Sequence, residues 1–515
     1  PLTGLLMKAI DSPMNHLNRK SCIRVCLGMV LLLNLSLPTP QTGQPTASLL
    51  AQPPAVKTGD WPYFLGPEQT GISAETGLID SFPQSGPPLL WEKSIGTGYS
   101  APSVLGNRLV IHHRPEKGDD EGKEVIQCLA ADTGKELWKY AYDSDFRDPY
   151  GYNNGPRCSP LLTEQYCYTF GAQGKLYCLN IKDGTLVWHR DCLQEFDVPP
   201  GFFGVGATPI LEGSKLIVMV GGKPDSGMVA FDAKTGKTLW HNVGKDVWNG
   251  TSTGWERMPV YKWRGNEKIS SYSSPLAVTI HGKRHLLCLM RQGLVSLNPE
   301  DGSLNFKYWF RSMINDSVNA ARPVVIDDKI FLSAAYQVGS ALLQVEPNGN
   351  SYKELWRNPT NMMTHWSTTI HHDGYLYGFS GRHERGATMR CVRLSDGKVM
   401  WETDGAAAVI DKIQRNTLTG QFLWIDSGKT APWPLYGRGS AILADNKFIV
   451  LGEKGTLAIV KVDPKEFHEV CRTSFPQIKY PAWAAPVLAH KKLYLRSESH
   501  LICLDFAKQQ SEKKE

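Results

Sequence analysis

Arginines and aromatic residues recur in this chain just ahead of short apolar hairpins, and together they have the chemistry of a receptor for a flat anion. The positions are Tyr99, Arg157, Phe203, Tyr272, Ser273, Asn319, Arg322, His365, Trp366, Arg438 and Trp483. Guanidinium forks match carboxylates with paired hydrogen bonds, and aromatic faces stack on planar rings. Tyr99, Arg157, Ser273, Arg322, His365, Trp366, Arg438 and Trp483 are therefore the candidate contacts to a small anionic or planar ligand. The alternative is that these side chains only satisfy loop carbonyls.

Covalent or metal chemistry has less support. His112-His113 ends a strand and His371-His372-Asp373 lies at a hairpin turn, where neighbouring side chains point to opposite faces and no third ligand is spaced to join them. No metal site is expected. The sequence holds no His-Glu-x-x-His helix motif, no phosphate-cradling Gly-rich Lys loop and no Gly-x-Ser-x-Gly elbow. It also lacks Cys-x-x-Cys-His, so no haem c is attached. No catalytic base stands out.

The elements that must position these residues are repeats. Cys128 to Trp138 recurs as Val229 to Trp240, Cys178 to Trp188 and Cys391 to Trp401. In each, an apolar strand meets an Asp/Thr/Gly turn, Gly accepts positive φ there, and a second strand ends in Trp. Looser copies run from Leu294 to Phe306 and Leu342 to Trp356, and the weakest, Leu457 to Cys471, ends without Trp. A second hairpin precedes each copy, as in Ala101 to Ile111 and Ala485 to Leu495. Two hairpins make four antiparallel strands, and a period of roughly 45 to 50 residues matches a propeller blade.

Inner hairpins beginning near Ser100, Ser159, Thr208, Ser274, Arg322, Ser367, Ser440 and Ala485 predict an all-β fold, an eight-bladed propeller. The last blade runs out at Leu504-Asp505, and Leu89-Leu90-Trp91-Glu92-Lys93 looks like a repeat end without a beginning. The N-terminal strand around Trp91 is expected to close the last blade and remove the exposed edges. The tryptophans are expected to fill wedges between blades.

These repeats resemble the pyrroloquinoline-quinone-like (PQQ-like) propellers, a family that includes quinoprotein alcohol dehydrogenases and the outer-membrane barrel-assembly lipoprotein. The resemblance spans roughly residues 60 to 505 and rests on the recurring Asp-x-x-x-Gly-x-x-x-Trp pattern. Asp60-Trp61-Pro62-Tyr63-Phe64-Leu65-Gly66-Pro67 also resembles the opening of secreted bacterial quinoprotein-like members. The enzymes of the family imply PQQ with Ca²⁺ in the funnel, an Asp base and often a disulfide between adjacent cysteines. This chain has no adjacent cysteines, and the family's Ca²⁺ ligands and base do not map onto it residue by residue. The leading expectation is a ligand- or protein-binding module without catalysis. Its rivals are a PQQ-dependent dehydrogenase of alcohols or polymeric alcohols and an envelope protein-assembly scaffold.

Composition sets the remaining bounds. With 41% hydrophobic and 21% charged residues the 515-residue chain is ordinary globular protein, and a net charge of +6 without basic runs argues against a nucleic-acid partner. Arg19, Lys20 and Arg24 precede the apolar run Val25 to Leu33, the pattern of a secretory leader, and Met14 opens a leader of more usual length than the first residues do. Residues 1–51 are expected to be that leader, 52–86 an extension, 87–507 the propeller and 508–515 a charged tail. A periplasmic or extracellular protein with no integral membrane span in its mature form follows, and its partner would be a ligand or an envelope protein.

Of 11 cysteines, nine lie beyond the leader. Cys128, Cys178, Cys391 and Cys503 share one repeat position and are expected in the core, whereas Cys158, Cys167 and Cys192 are close enough for a local bridge. Two insertions, Val243 to Ile269 and Glu402 to Leu435, carry Trp248, Trp255, Trp263, Trp424 and Trp433. They could cover the funnel, face a partner or pack on the blades.

Overall fold

Each repeat supplies a short inner strand, two middle strands buried on both faces, and an outer strand that buries little besides its Trp. In the first blade these are Ser103–Leu105, Arg108–His113, Lys123–Ala130 and Glu136–Asp143. Lys123–Ala130 is buried from its second residue to its last, whereas in Glu136–Asp143 only Trp138 and Tyr142 are buried. That is the pattern of a sheet sandwiched near the axis and solvated at its rim. The computed structural model describes residues 57–509 apart from 200–202, 250–251, 254–260, 264–266, 313 and 315–316. The segment expected to be a leader, the end of the tail and Trp255 lie outside the described residues.

Eight such antiparallel sheets follow one another, as the repeats predict. The inner strands of the second to eighth blades are Leu161–Leu162, Ile210–Glu212, Leu276–Ile280, Val324–Ile326, Ile370–His372, Ser440–Ala444 and Val487–Ala489. The eighth blade is completed by Leu89–Ser94, which pairs antiparallel with His500–Asp505 and sets Trp91 opposite Cys503. No helix among the described residues is long and apolar enough to cross a membrane.

The tryptophans join blade to blade by one recurring contact. Trp91, Trp138, Trp188, Trp240 and Trp356 each donate the indole N–H to a carbonyl in the next blade's outer turn, those of Ala131, Ile181, Ala233, Pro299 and Leu394, at 2.8–3.1 Å. Each ring lies flat on the turn glycine. A Cβ on Gly184 would stand 2.5 Å from Trp138, and one on Gly236 2.7 Å from Trp188. Positive φ and this close approach both require glycine there. Where the repeat lacks Trp, Phe306 and Cys471 take its place.

The nine described cysteines are all unpaired, so the local bridge among Cys158, Cys167 and Cys192 does not form. All three are fully buried, Cys158 in a bend, Cys167 in the strand Tyr166–Phe170 and Cys192 at the start of the short helix Cys192–Glu195. Cys128, Cys178, Cys391 and Cys503 are core residues as expected, and burial pushes their thiols up to about 11 or 12.

The segment before Trp91 crosses the channel. Trp61 exchanges two backbone hydrogen bonds with Val104 of the first blade, and Pro62 accepts one from Leu162 of the second. A compact turn over 63–71 follows, with positive φ at Leu65, Gly66, Gln69 and Gly71. Ile72–Ser73 then adds a parallel strand to the inner strand of the seventh blade. The chain thus spans from blades one and two to blade seven.

Candidate functional site

The residues two places before the residue that precedes each inner strand's Pro, or before its equivalents Thr368 and Ser440, form one ring around the axis. They are Tyr99, Arg157, Gly206, Tyr272, Ala320, Trp366, Arg438 and Trp483, and all line a cup of about 410 Å³ at the channel mouth. Phe64, Leu65, Thr70 and Gly71 of the N-terminal turn lie at its floor, so the channel is plugged. Alternation along the backbone explains the ring: residues i and i+2 share a face, and the next position inward carries Ser159, Thr208 and Ser440. Backbone N–H groups of Ser159, Thr208 and Arg322 donate to the hydroxyls of Thr208, Ser274 and Thr368 in the following blades.

The wall is a belt of touching rings. Ring centroids are 4.9 Å apart for Tyr99 and Trp483, 4.7 Å for Trp366 and Trp483, 4.7 Å for His365 and Trp366, and 5.4 Å for Tyr336 and His365. On the other side Tyr152 contacts both Trp483 and Phe203, and Phe203 contacts Tyr272. Burial together with the nearby Arg438 and Arg382 holds His365 down to about 3, so it is a neutral ring near pH 7. Its Nε2 pairs with the Tyr336 hydroxyl at 3.1 Å. Burial raises Tyr272 to about 12 and raises Tyr99 further, so both stay protonated donors.

The arginines are held from within. Arg157 bonds Asp148 Oδ2 at 2.7 Å and the carbonyl of Asn153 at 2.9 Å, while Asp148 Oδ1 accepts the Tyr150 N–H. Arg438 Nη2 reaches Glu453 Oε2 at 2.8 Å, the Arg438 N–H donates to Glu453 Oε1, and the Trp483 indole donates to Oε2 at 3.1 Å. Glu453 is fully buried, and its charge cancels that of Arg438. The guanidinium of Arg438 lies 4.4 Å from the Trp366 centroid and 5.2 Å from that of Trp483, which orders both rings.

Six of the eight candidate contacts therefore come together at the mouth: Tyr99, Arg157, His365, Trp366, Arg438 and Trp483. Ser273 and Arg322 do not face it. Ser273 falls one residue out of register and donates to the carbonyl of Ala321. Arg322 stands at the position where other blades have Ser or Thr before Pro, as Arg322-Pro323 matches Ser159-Pro160. Its guanidinium is buried and bonds the carbonyls of Pro275 and Gln69 and the Gln69 side chain, anchoring the plug. Burial lowers it to about 9. Asn319 caps the carbonyls of Met290 and Phe310.

Asp148, Tyr150, Tyr152, Tyr336, Arg382 and His383 also line the cup without having been singled out from sequence. They come from loops beyond the inner hairpins, and only the Tyr- and Asn-rich run Asp148 to Asn154 carried a signal. Arg382 is exposed, its guanidinium 4.4 Å from the Tyr336 centroid, and it makes no ion pair among the described residues.

The geometry has known counterparts. A family model described as outer membrane protein assembly factor BamB, of the PQQ-like repeat type, matches residues 122–403. The chain belongs to this PQQ-like propeller family. No curated protein matches it. Among solved structures, BamB from Moraxella catarrhalis superposes with a TM-score of 0.50 at 11% identity, covering 83% of this chain and 100% of that one. The quinohemoprotein alcohol dehydrogenase from Comamonas testosteroni gives 0.56 at 12% identity, covering 90% and 82%. A europium-containing methanol dehydrogenase gives 0.54 at 10%, covering 85% and 89%. At such identities these structures share the PQQ-like fold, and function has to be argued from the site.

A quinone with Ca²⁺ is the group the family's enzymes imply. The aromatic belt suits a flat ring, but the oxygen donors do not suit the cation: Asp148 and Glu453 are engaged by Arg157 and Arg438. No cluster of three His, Cys, Asp or Glu side chains occurs among the described residues. A hard cation needs six to eight oxygens, several of them charged.

Proposed function

We propose that this PQQ-like propeller is an extracytoplasmic binding module whose cup receives a flat, ring-bearing ligand and performs no chemistry on it. One observation carries the reading: the cup is walled by a continuous aromatic belt whose two arginines already hold their carboxylates. Affinity then comes from stacking, with Arg382 at the wall offering one charge to an acidic substituent. The leader-like pattern from Arg19 to Leu33 supports export. The thiols are compatible with an oxidising compartment, because eight of the nine described cysteines are fully buried.

PQQ, added with and without Ca²⁺, is the first probe. The expected result is a thermal shift independent of Ca²⁺, weakened about tenfold or more by Trp366→Ala, without dye-linked alcohol oxidation. Failure of PQQ and of a second planar acid such as a flavin to shift the melt would refute the cup as a receptor. Turnover that requires Ca²⁺ would make the protein a dehydrogenase.

A protein partner is the second reading. Tyr150 and Tyr152 are each 52% exposed and Tyr480 49%, and these rings stand near the mouth where a polypeptide could cover them. The description of the matching family as an assembly factor accords with it.

A further inference from the structure

The insertion between the sixth and seventh blades contains an extra copy of the outer blade hairpin that belongs to no blade. Asn416-x-x-x-Gly420-x-x-x-Trp424 follows the repeat pattern, and Ile413–Arg415 pairs antiparallel with Phe422–Trp424. Its turn has the blade turn's two hydrogen bonds. Asn416 N donates to Gln421 O and Gly420 N to Asn416 O, each at 2.8 Å, just as Asn180 donates to Thr185 and Gly184 to Asn180 at 2.9 and 2.8 Å. Gly420 has φ +73°, against +74° at Gly184 and +70° at Gly236. The hairpin lacks the blade's bulge, so Trp424 pairs with Ile413 and packs with Val409 and Ala431 in its own small core.

What differs is the cover. In the blades this turn carries a neighbour's indole on the glycine and an indole N–H on the carbonyl of the residue after the first. At Gly420 a Cβ would meet only Arg415 Nη2, at 3.6 Å, and the Thr417 carbonyl accepts no hydrogen bond among the described residues. The tip points the same way: where blade turns place Asp132, Lys182, Lys234, Glu300 or Ser395, this one places Leu418, 95% exposed. Leu418 thus adds apolar surface beside a bare copy of a docking turn.

We infer that the Gly420 turn is a docking site for a partner polypeptide that presents a tryptophan on an exposed edge strand. The indole would lie on Gly420 and bond the Thr417 carbonyl, with Leu418 against the residues that flank it. The repeat tryptophans of a second copy do not supply the occupant, because Trp91, Trp138, Trp188, Trp240, Trp356 and Trp401 all donate within their own propeller. The site is separate from the cup, and its test is independent of the ligand reading.

The probe is a fluorescein-labelled peptide with the sequence of residues 185–191, an outer strand that docks on such a turn here. Fluorescence anisotropy against the full chain should show saturable binding, lost when the peptide carries W188A. Gly420→Asn should weaken it about tenfold or more, since Asn accepts positive φ yet puts a side chain where the ring must lie. An unchanged melting temperature would show that the variant folds, and Leu418→Asp should weaken binding as well. Three results would overturn the assignment: no binding at millimolar peptide, equal binding by the W188A peptide, or binding that survives Gly420→Asn. Self-association of the chain that Gly420→Asn abolishes would replace the foreign partner with a second copy and equally overturn it.

Discussion

Rim and mouth use repetition in opposite ways. At the rim the same side chain returns in six of the eight blades, and each of these repeat indoles makes the same bond to the next turn. At the mouth the same backbone position returns, but its side chains run Tyr99, Arg157, Gly206, Tyr272, Ala320, Trp366, Arg438, Trp483. A shared job keeps one residue type, whereas a ring of equivalent positions with differing residues builds an asymmetric surface on a symmetric frame. The rim is concerned with stability and the mouth with recognition.

The strongest way to break this contrast is to make one substitution in both places. Trp188→Ala should cost about 3–5 kcal/mol in urea unfolding by emptying a wedge and leaving the Ala233 carbonyl with only the Tyr168 hydroxyl as donor. Trp366→Ala, on an open wall, should cost no more than about 1 kcal/mol and act on ligand binding instead. Equal losses of stability would erase the distinction.

Next comes Glu453→Gln, which leaves the Arg438 charge unpaired. Denaturation should register a loss of about 2–3 kcal/mol, while calorimetric titration with PQQ should show tighter binding as the freed guanidinium turns to an anion. Unchanged affinity would mean that the arginine is purely structural.

Acid should weaken the blade frame and the mouth together. His113, bonded to Gln127 and Gly96 near the start of the first blade, and His365 at the mouth are both held near 3, below the ordinary 6.5. The unfolded chain therefore takes up protons first as pH falls. Stability from these two sites is complete above about pH 6.5 and declines toward pH 3, by at most about 1.4 kcal/mol per pH unit for each histidine. Melting temperatures across that window should follow the slope, and His113→Gln should flatten it.

The smallest effect belongs to Cys471, which stands at the rim in the place of a tryptophan and is half-buried. Cys471→Ser should change stability by less than about 1 kcal/mol. Under native conditions a thiol reagent should label this cysteine first, the other eight described cysteines reacting only on unfolding.

The blade count, the closing strand around Trp91 and the buried repeat cysteines were legible in the sequence because they follow from local periodicity. Strand alternation, turn glycines and Trp spacing are short-range patterns, and repetition averages out ambiguity in any one copy. Half of the candidate site was legible by the same logic: Tyr99, Arg157, Trp366, Arg438 and Trp483 share a register with the blade starts, and the register alone brings them together. Ser273 went elsewhere because one residue of slip in a strand turns a side chain to the opposite face, and Arg322 because it stands two residues past Ala320, one step further inward, where it meets Gln69 of the plug. The Ser/Thr-Pro alignment contained that information for Arg322.

Other features were decided only in three dimensions. The pairing of Arg438 with Glu453, fifteen residues away across a hairpin, and of Arg157 with Asp148 determines whether the mouth is charged or neutral. The plug arises because a segment far from Arg322 in sequence lies beside it in space. Short-range pattern specifies which elements form, but long-range contact specifies which charges meet and which channel is filled. The sequence by itself determined the propeller, and tertiary structure made its mouth an aromatic cup with its arginines already paired.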